Sequence, residues 1–269
     1  MAQPMSGASG WGVPVQVSNE SGLGPAIIVC EHASNFIPPH LHDLGLAPDV
    51  RESHVAWDPG ALAVATGIAA ALDCPLVAAT ISRLVYDCNR PPSAESAMPA
   101  VSEIFSIPGN RDLSDQARAE RVERVYAPFH ETLKAVIDRQ VTTGRSPAII
   151  TVHSFTQTYK GADRPFEIGI LHDDDTRLAD AMIDRAEDFV GADVRRNEPY
   201  GPADGVTHTL RMHALPRGLL NVMIEIRNDV IRQPSEQTVM ARVFSDVIQD
   251  AIGCCTAPVF HKAQEVGNA

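Results

Sequence analysis

The sequence predicts a single α/β domain built on a mixed, mostly parallel central sheet flanked by helices. Two observations predict it. Short apolar runs alternate along the chain with longer stretches of helical periodicity. No internal repeat or low-complexity linker divides the 269 residues, which suffice for one sizeable core. Residues 1–20 are expected to form a flexible N-terminal arm and residues 21–269 the domain.

The elements follow in order. Residues 25–30, PAIIVC, come after Gly24 and read as a buried strand. Residues 56–74, AWDPGALAVATGIAAALDC, open on a helix-start signal, with Asp58 as N-cap and Pro59 in the first turn. Their apolar residues repeat at helical spacing to about Leu72. Residues 75–87, PLVAATISRLVYD, read as one or two strands. The longest helical pattern runs over 112–144, with Gly144 as its terminator. Strands at 147–152 and 166–171, a helix at 174–190 and a loop rich in Pro and Gly at 197–206 come next. A strand at 219–226 and a helix at about 234–252 complete the pattern.

Composition narrows the function. The net charge of −12 gives no basic patch for nucleic acid or an anionic membrane. Cys30, Cys74, Cys88, Cys254 and Cys255 are odd in number and lack CxxC spacing, which reads as reduced thiols in a cytosolic protein. No apolar run approaches the ~18 residues a bilayer requires. The start, MAQPMSGASGWG, lacks the basic and apolar regions of a signal peptide. The expected protein is cytoplasmic and acts on a small molecule, with homo-oligomerisation left open.

In open α/β sheets, ligands sit beyond the carboxyl ends of the strands. The residues after each expected strand carry chemistry: Glu31 and His32 after the first, Asp87, Asn89 and Arg90 after the second, His153 and Ser154 after the third. Glu225 and Arg227 end the strand at 219–226, and His172 with Asp173, Asp174 and Asp175 follows 166–171. Two histidines and one carboxylate make a common ligand set for a catalytic zinc, with an open position for water. A second carboxylate then serves as general base, and an arginine as the fork for a substrate carboxylate. Each residue also has a plainer use. Asp58 suits a helix cap, Asp173–Asp175 suit a helix N-terminus, and Glu225 can pair with Arg227 two residues along the strand. There is no GxSxG elbow for a serine hydrolase, and Cys30 and Cys88 lie in apolar or strand contexts where thiols are inert.

The motifs VCEHASNFIP, HVAWDPGA, SRLVYDCNRPP, TVHSFTQTYKG, IGIL, NEPYGPADGVTHTL and GLLNVMIEIRNDVI run in order from about residue 25 to 232. Together they resemble the N-formylglutamate amidohydrolase family, itself similar to zinc carboxypeptidases and aspartoacylase-type deacylases. HSFTQ is similar to the carboxypeptidase HSYSQ, EIR at 225–227 to the strand bearing the catalytic glutamate, and NR at 89–90 to the pair that grips the substrate carboxylate. The resemblance implies a zinc-carboxypeptidase-like (phosphorylase/hydrolase-like) fold and a role in amino-acid catabolism. It implies zinc, or another divalent metal, on His32, Asp58 and His153. Carboxypeptidases place a glutamate ligand three residues after the first histidine, but Asn35 stands there. The resemblance to the formylglutamate enzymes implies Asp58, in HVAWD, for that part, with Glu31 as the alternative. The chemistry implied is removal of a formyl or other small acyl group from an N-acyl amino acid such as N-formyl-L-glutamate. Glu225 would act as general base, Arg83 or Arg90 would hold the oxyanion, and Asn89, Arg90, Tyr200 and Arg227 would contact the substrate. A carboxypeptidase or other deacylase is the nearest rival, and an inactive binding domain on the same fold the next.

Overall fold

Apolar runs that alternate their side chains between two covered faces supply the centre of the structure, a computed structural model that describes residues 10–189 and 191–257. Seven strands form one sheet: β1 (Val15–Ser18), β2 (Ala26–Cys30), β3 (Leu76–Ala79), β4 (Ala148–Phe155), β5 (Ile168–Leu171), β6 (Val194–Arg196) and β7 (Asn221–Arg227). Their order is β1-β3-β2-β4-β7-β5-β6. β3, β2, β4 and β7 run parallel, while β1 and the β5–β6 pair run the other way. Every residue of β2, β4 and β7 is buried, as expected where helices cover both faces.

On one face, Ile28, Ile150, Val152, Ile224 and Ile226 pack against α1 (Ala61–Ala71), α3 (Arg177–Ile183) and α4 (Pro234–Thr256). On the other, Ile27, Val29, Ile149 and Met223 meet α2 (Ala127–Thr142) and the chain between β3 and α2. The period of two in a strand places Glu31, His153 and Glu225 on this second face, in line with Val29, Thr151 and Met223. In parallel register Glu225 stands directly beside His153. No helix among the described residues is long and apolar enough to cross a membrane.

Several expectations change in the folded chain. The strand expected to 87 stops at Ala79. Ser82 is the reason: its hydroxyl donates to the Ala56 carbonyl and accepts from the Leu84 N–H, turning the backbone away from the ladder. The helical pattern over 112–144 is one run broken by a π turn over Val122–Tyr126. Pro128 follows that turn and cannot donate to it, so the wider turn absorbs the defect. Gly144 ends the run at φ +82°, a left-handed backbone that glycine adopts freely. The loop expected at 197–206 gives way to helical turns from Pro202 to Arg217, including a second π turn over Leu210–Ala214 that likewise precedes a proline, Pro216. Of the arm expected over 1–20, residues 1–9 lie outside the described residues. Trp11 is buried and β1 pairs with β3 along the sheet edge. β5 is antiparallel to β7, so His172 emerges at the opposite end of the sheet from Glu225. There His172 binds Asn197 and Arg196, away from the other strand-end residues.

Candidate active site

The parallel core strands β2, β4 and β7 bring their carboxyl ends to one edge, and three ligand-type atoms converge there. His32 lies two residues beyond the end of β2, and its carbonyl accepts from the Asp58 N–H at 2.9 Å, which ties the two segments together. Gly60, not Asp58, caps α1. It sits at φ +84° with the Ile231 carbonyl oxygen 2.7 Å from where a Cβ would lie, so only glycine fits. The Asp58 carboxylate is thereby released from the capping role expected of it and turns inward. Its Oδ2 lies 3.2 Å from His32 Nδ1 and 2.9 Å from His153 Nδ1, and the two nitrogens are 3.1 Å apart. The Ser154 N–H donates to the same oxygen at 3.3 Å.

The outer faces of both rings are held by carboxylates. His32 Nε2 lies 2.7 Å from Asp87 Oδ1, and an ionised carboxylate can only accept, so that nitrogen carries the proton. Nδ1 of His32 is left with a lone pair facing the triangle. His153 Nε2 lies 3.2 Å from Glu31 Oε2, a charge contact without the alignment of a good hydrogen bond. Glu31 thus backs His153 from outside and does not reach the triangle, which separates it from Asp58 as a ligand. Arg83 donates to Asp58 Oδ1 at 3.3 Å and to Asp87 Oδ2 at 2.9 Å, locking both acids.

This arrangement fits a divalent cation. With both rings protonated on their outer nitrogens alone, two lone pairs and a carboxylate oxygen face one another, a set of atoms that could hold a metal ion. Bonds of about 2.0–2.1 Å at tetrahedral angles separate ligand atoms by about 3.3–3.4 Å, close to the spacing seen. Without an ion the same acids draw a proton onto the rings, and a bound cation would take that proton's place. Burial works against a charged His153, but Glu31 and Asp58 outweigh it and hold the ring far above the usual imidazole range. Asp58 and Asp87 resist burial likewise, because His32 chiefly, with Arg83, keeps both well below the usual carboxylate range.

A cavity of about 160 Å³ opens beside the triangle, and Glu225 lines it. Glu225 is 3% exposed, and its Oε2 has no hydrogen-bond partner among the described residues. Burial is the main cause that pushes its carboxyl up to about 7, with the nearby Asp58 adding to it and His153, His32 and Arg83 opposing. Its expected alternative partner is taken elsewhere. Arg227 reaches Asp229 at 2.7 Å, Glu167 at 3.0 Å and three carbonyls of residues 164–166, so it clamps a loop and does not line the cavity. Asn89 lines the cavity, but its amide is used at both ends, donating to the Val206 carbonyl and accepting from the Thr209 N–H at 3.1 Å. Arg90 Nη1 donates to the carbonyls of Asn89 and Gly205, leaving its other nitrogens beside the cavity. Tyr200 lines the wall, and its hydroxyl accepts from Arg164 at 3.1 Å.

Four wall or support residues had no assigned part in the sequence reading. Asp87 orients His32, and Tyr159, His54 and Glu103 line the cavity. His54 stood in the HVAWD motif four residues before Asp58, a signal within reach; Glu103, at a hairpin tip, carried none. The thiols of Cys30 and Cys88 are pushed up, chiefly by burial, as suits inert side chains.

Comparison with known proteins gives the chain's relatives. No curated protein matches the chain. A gene product of Agrobacterium tumefaciens with a crystal structure is 52% identical over 91% of this chain and 96% of its own, with a TM-score of 0.89. The N-formylglutamate amidohydrolase of Ralstonia eutropha JMP134 shares the fold at a TM-score of 0.65, with 20% identity over 89% of this chain and 97% of its own. The sequence model of N-formylglutamate amidohydrolase matches residues 24–232, a span that holds every residue of the triangle and the cavity wall. On that match the chain belongs to the N-formylglutamate amidohydrolase family, hydrolases that act on an amide bond.

Proposed function

We propose that this chain removes a formyl or other small acyl group from the nitrogen of an amino acid, with zinc or another divalent ion held by His32, Asp58 and His153. The observation that carries the reading is the triangle of two imidazole nitrogens and one carboxylate oxygen, 2.9–3.2 Å apart, opening on a cavity with the unpaired carboxylate of Glu225. When bound, the ion supplies Lewis acidity, acidifying a water and polarising the acyl carbonyl.

The chain's own groups do the rest. Arg90 grips the substrate's α-carboxylate with the guanidinium nitrogens that its carbonyl contacts leave free. Glu225 accepts a proton as water oxygen bonds to the acyl carbon, and returns it to the nitrogen as the carbon–nitrogen bond breaks, yielding a carboxylic acid and a free amino acid. A carboxyl raised toward neutrality suits both directions of transfer. Arg83 keeps Asp58 and Asp87 in place and offers positive charge to the oxygen that becomes negative. Tyr200, with Arg164 stacked 4.9 Å from its ring, closes one wall over the substrate. A cavity of about 160 Å³ supports an amino-acid derivative over a peptide.

The test is hydrolysis of a panel of N-formyl and N-acetyl amino acids before and after chelation. Release of free amino acid that stops on chelation and returns with zinc is expected. Turnover undiminished in protein stripped of metal would exclude the reading.

A further inference from the structure

One cation beside the cavity is held by aromatic rings instead of an acid. Arg164 follows the Thr158–Tyr159/Ala162–Asp163 hairpin. Its guanidinium carbon lies 4.5 Å from the centre of the Tyr159 ring, 4.9 Å from that of Tyr200 and 5.7 Å from that of Phe155. All three rings line the cavity. The negative faces of such rings attract a guanidinium and offset part of its lost hydration. Its polar contacts among the described residues are few: Nη2 donates to the Tyr200 hydroxyl at 3.1 Å, and Nη1 is buried with no partner. The backbone beneath this side chain is fixed from two sides. Its N–H donates to the Gln157 carbonyl at 2.8 Å, and its carbonyl accepts from Arg227, the last residue of β7, at 3.2 Å. Arg227 is in turn held by Glu167 and Asp229. The clamp made by Arg227 thus gives Arg164 a rigid base on the sheet.

The Tyr200 hydroxyl shows what this base supports. A phenol oxygen accepts, and its O–H donates. Arg164 occupies the accepting side, which leaves the O–H to donate elsewhere. A charged donor on the oxygen also polarises that O–H and strengthens the bond it makes. Tyr200 shares the cavity wall with Arg83 and Glu225, the groups that the proposed reaction places at the acyl carbon. Burial pushes its phenol up, the Glu225 charge adds to this, and Arg164 and Arg83 oppose it. The hydroxyl therefore keeps its proton and lies within electrostatic reach of both.

We infer that Arg164 is a positioning residue for the reaction: from its place against the rings of Tyr159 and Tyr200 it turns the Tyr200 O–H into the cavity, where that O–H donates to the acyl oxygen as it becomes negative. The inference rests on the proposed deacylation and adds to it a neutral donor beside the charge of Arg83.

A double-mutant cycle tests it. kcat and KM for an N-formyl amino acid are measured in zinc-loaded wild type, Tyr200→Phe, Arg164→Met and the double variant. Each single change should lower kcat about 10-fold or more, the range for losing a hydrogen bond to a charged group. KM should stay within about 2-fold, because the contact is made only as charge develops. Adding Arg164→Met to Tyr200→Phe should cost less than about 2-fold further, since Arg164 acts through the hydroxyl already removed. A full second loss, or a raised KM with kcat unchanged, overturns the inference. If Arg164→Met does not fold, Arg164→Lys takes its place, keeping a charge against the rings without the planar fork that reaches the hydroxyl. The contact itself is read without turnover, by ultraviolet titration of metal-free protein. The Tyr200 phenol, assigned by difference from Tyr200→Phe, should ionise at lower pH in wild type than in Arg164→Met. No difference between the two overturns the inference. A wild type that shows the difference but deacylates nothing would sink the proposed reaction and leave the Arg164–Tyr200 couple standing.

Discussion

Two clusters of buried histidine lie among the described residues, and one of them, with Asp58, has the atoms that could hold a metal. His32 and His153 are 3% and 1% exposed; His130 and His213, behind the site, are 3% and 2% exposed. Both pairs are in hydrogen-bond range: 3.1 Å between the Nδ1 atoms of His32 and His153, 2.9 Å from His130 Nδ1 to His213 Nε2. They differ in their company. The second pair meets a carbonyl, that of Cys88, and the ring of His208, itself paired with the Tyr126 hydroxyl. Burial therefore dominates, pushing His130 down to about 4 and His213 down to about 3. The first pair is ringed by Asp58, Asp87 and Glu31, and two of these, Glu31 and Asp58, hold His153 far above the usual range although the ring is buried. Burial alone makes a histidine a neutral packing group. Carboxylates on the outer nitrogens turn the inner ones toward a cation.

The largest effect should come from removing the carboxylate that faces both rings. Asp58→Asn keeps the shape of the side chain but withdraws its charge from the triangle. Zinc content measured by atomic emission should fall far below one per chain, and kcat/KM by about 10⁴ or more, because the Lewis acid is lost with its ligand. A zinc-replete, active Asp58→Asn protein would erase the distinction between the clusters.

Glu225→Gln comes next and separates chemistry from metal binding. kcat should fall about 10²–10⁴-fold with zinc content unchanged. Stability gives an independent check. Burial raises the Glu225 carboxyl from 4.5 to about 7, so the folded chain holds its proton more tightly than the unfolded one. Its contribution to stability is full below about 4.5 and is lost as pH rises through about 7. Metal-free Glu225→Gln should therefore melt no lower than the metal-free wild type at pH 8. A clearly lower Tm there would mean that Glu225 serves the fold.

Glu31→Gln sharpens the comparison at the outer nitrogen of His153. Zinc affinity, read by competition with a chelator, should weaken about 10–100-fold, since such partners set ring orientation and basicity. Unchanged affinity would leave Glu31 without a part in the site. The smallest effect on function belongs to the other cluster. His213→Phe removes the donor facing His130 Nδ1 and should cost about 1–3 kcal/mol of stability. Zinc content and kcat/KM should stay within about 2-fold of wild type. Because His130 and His213 are held neutral, the unfolded chain binds more protons than the folded one from about 6.5 down to about 3, so wild-type stability falls with pH across that window. In His213→Phe the fall should be shallower.

The sheet and the two zinc-type histidines were readable because buried strands leave long apolar runs and their carboxyl ends carry the chemistry. Other residues were not, for separate physical reasons. Asp58 next to Pro59 has the pattern of a helix cap; only the left-handed turn at Gly60, pressed against Ile231, frees it for the site. His172 follows an apolar run like those before His32 and His153, but whether a strand runs parallel or antiparallel to its neighbour depends on pairing, which local sequence does not encode. Asn89 and Arg227 have the chemistry of substrate ligands, yet backbone carbonyls and neighbouring acids reach them first. Glu103 left no trace in any period, since its place comes from two hairpin tips meeting across 57 residues of chain.

On the proposed function, the triangle of His32, Asp58 and His153 holds the ion on which amide hydrolysis depends. The most direct measurement is a zinc titration of chelator-stripped wild-type protein, following bound metal and release of amino acid from an N-formyl amino acid together. Activity should rise in step with bound zinc to one equivalent per chain and then level off, with no such rise in Asp58→Asn. Full activity below about 0.1 zinc per chain, or an equal rise in Asp58→Asn, would contradict the account.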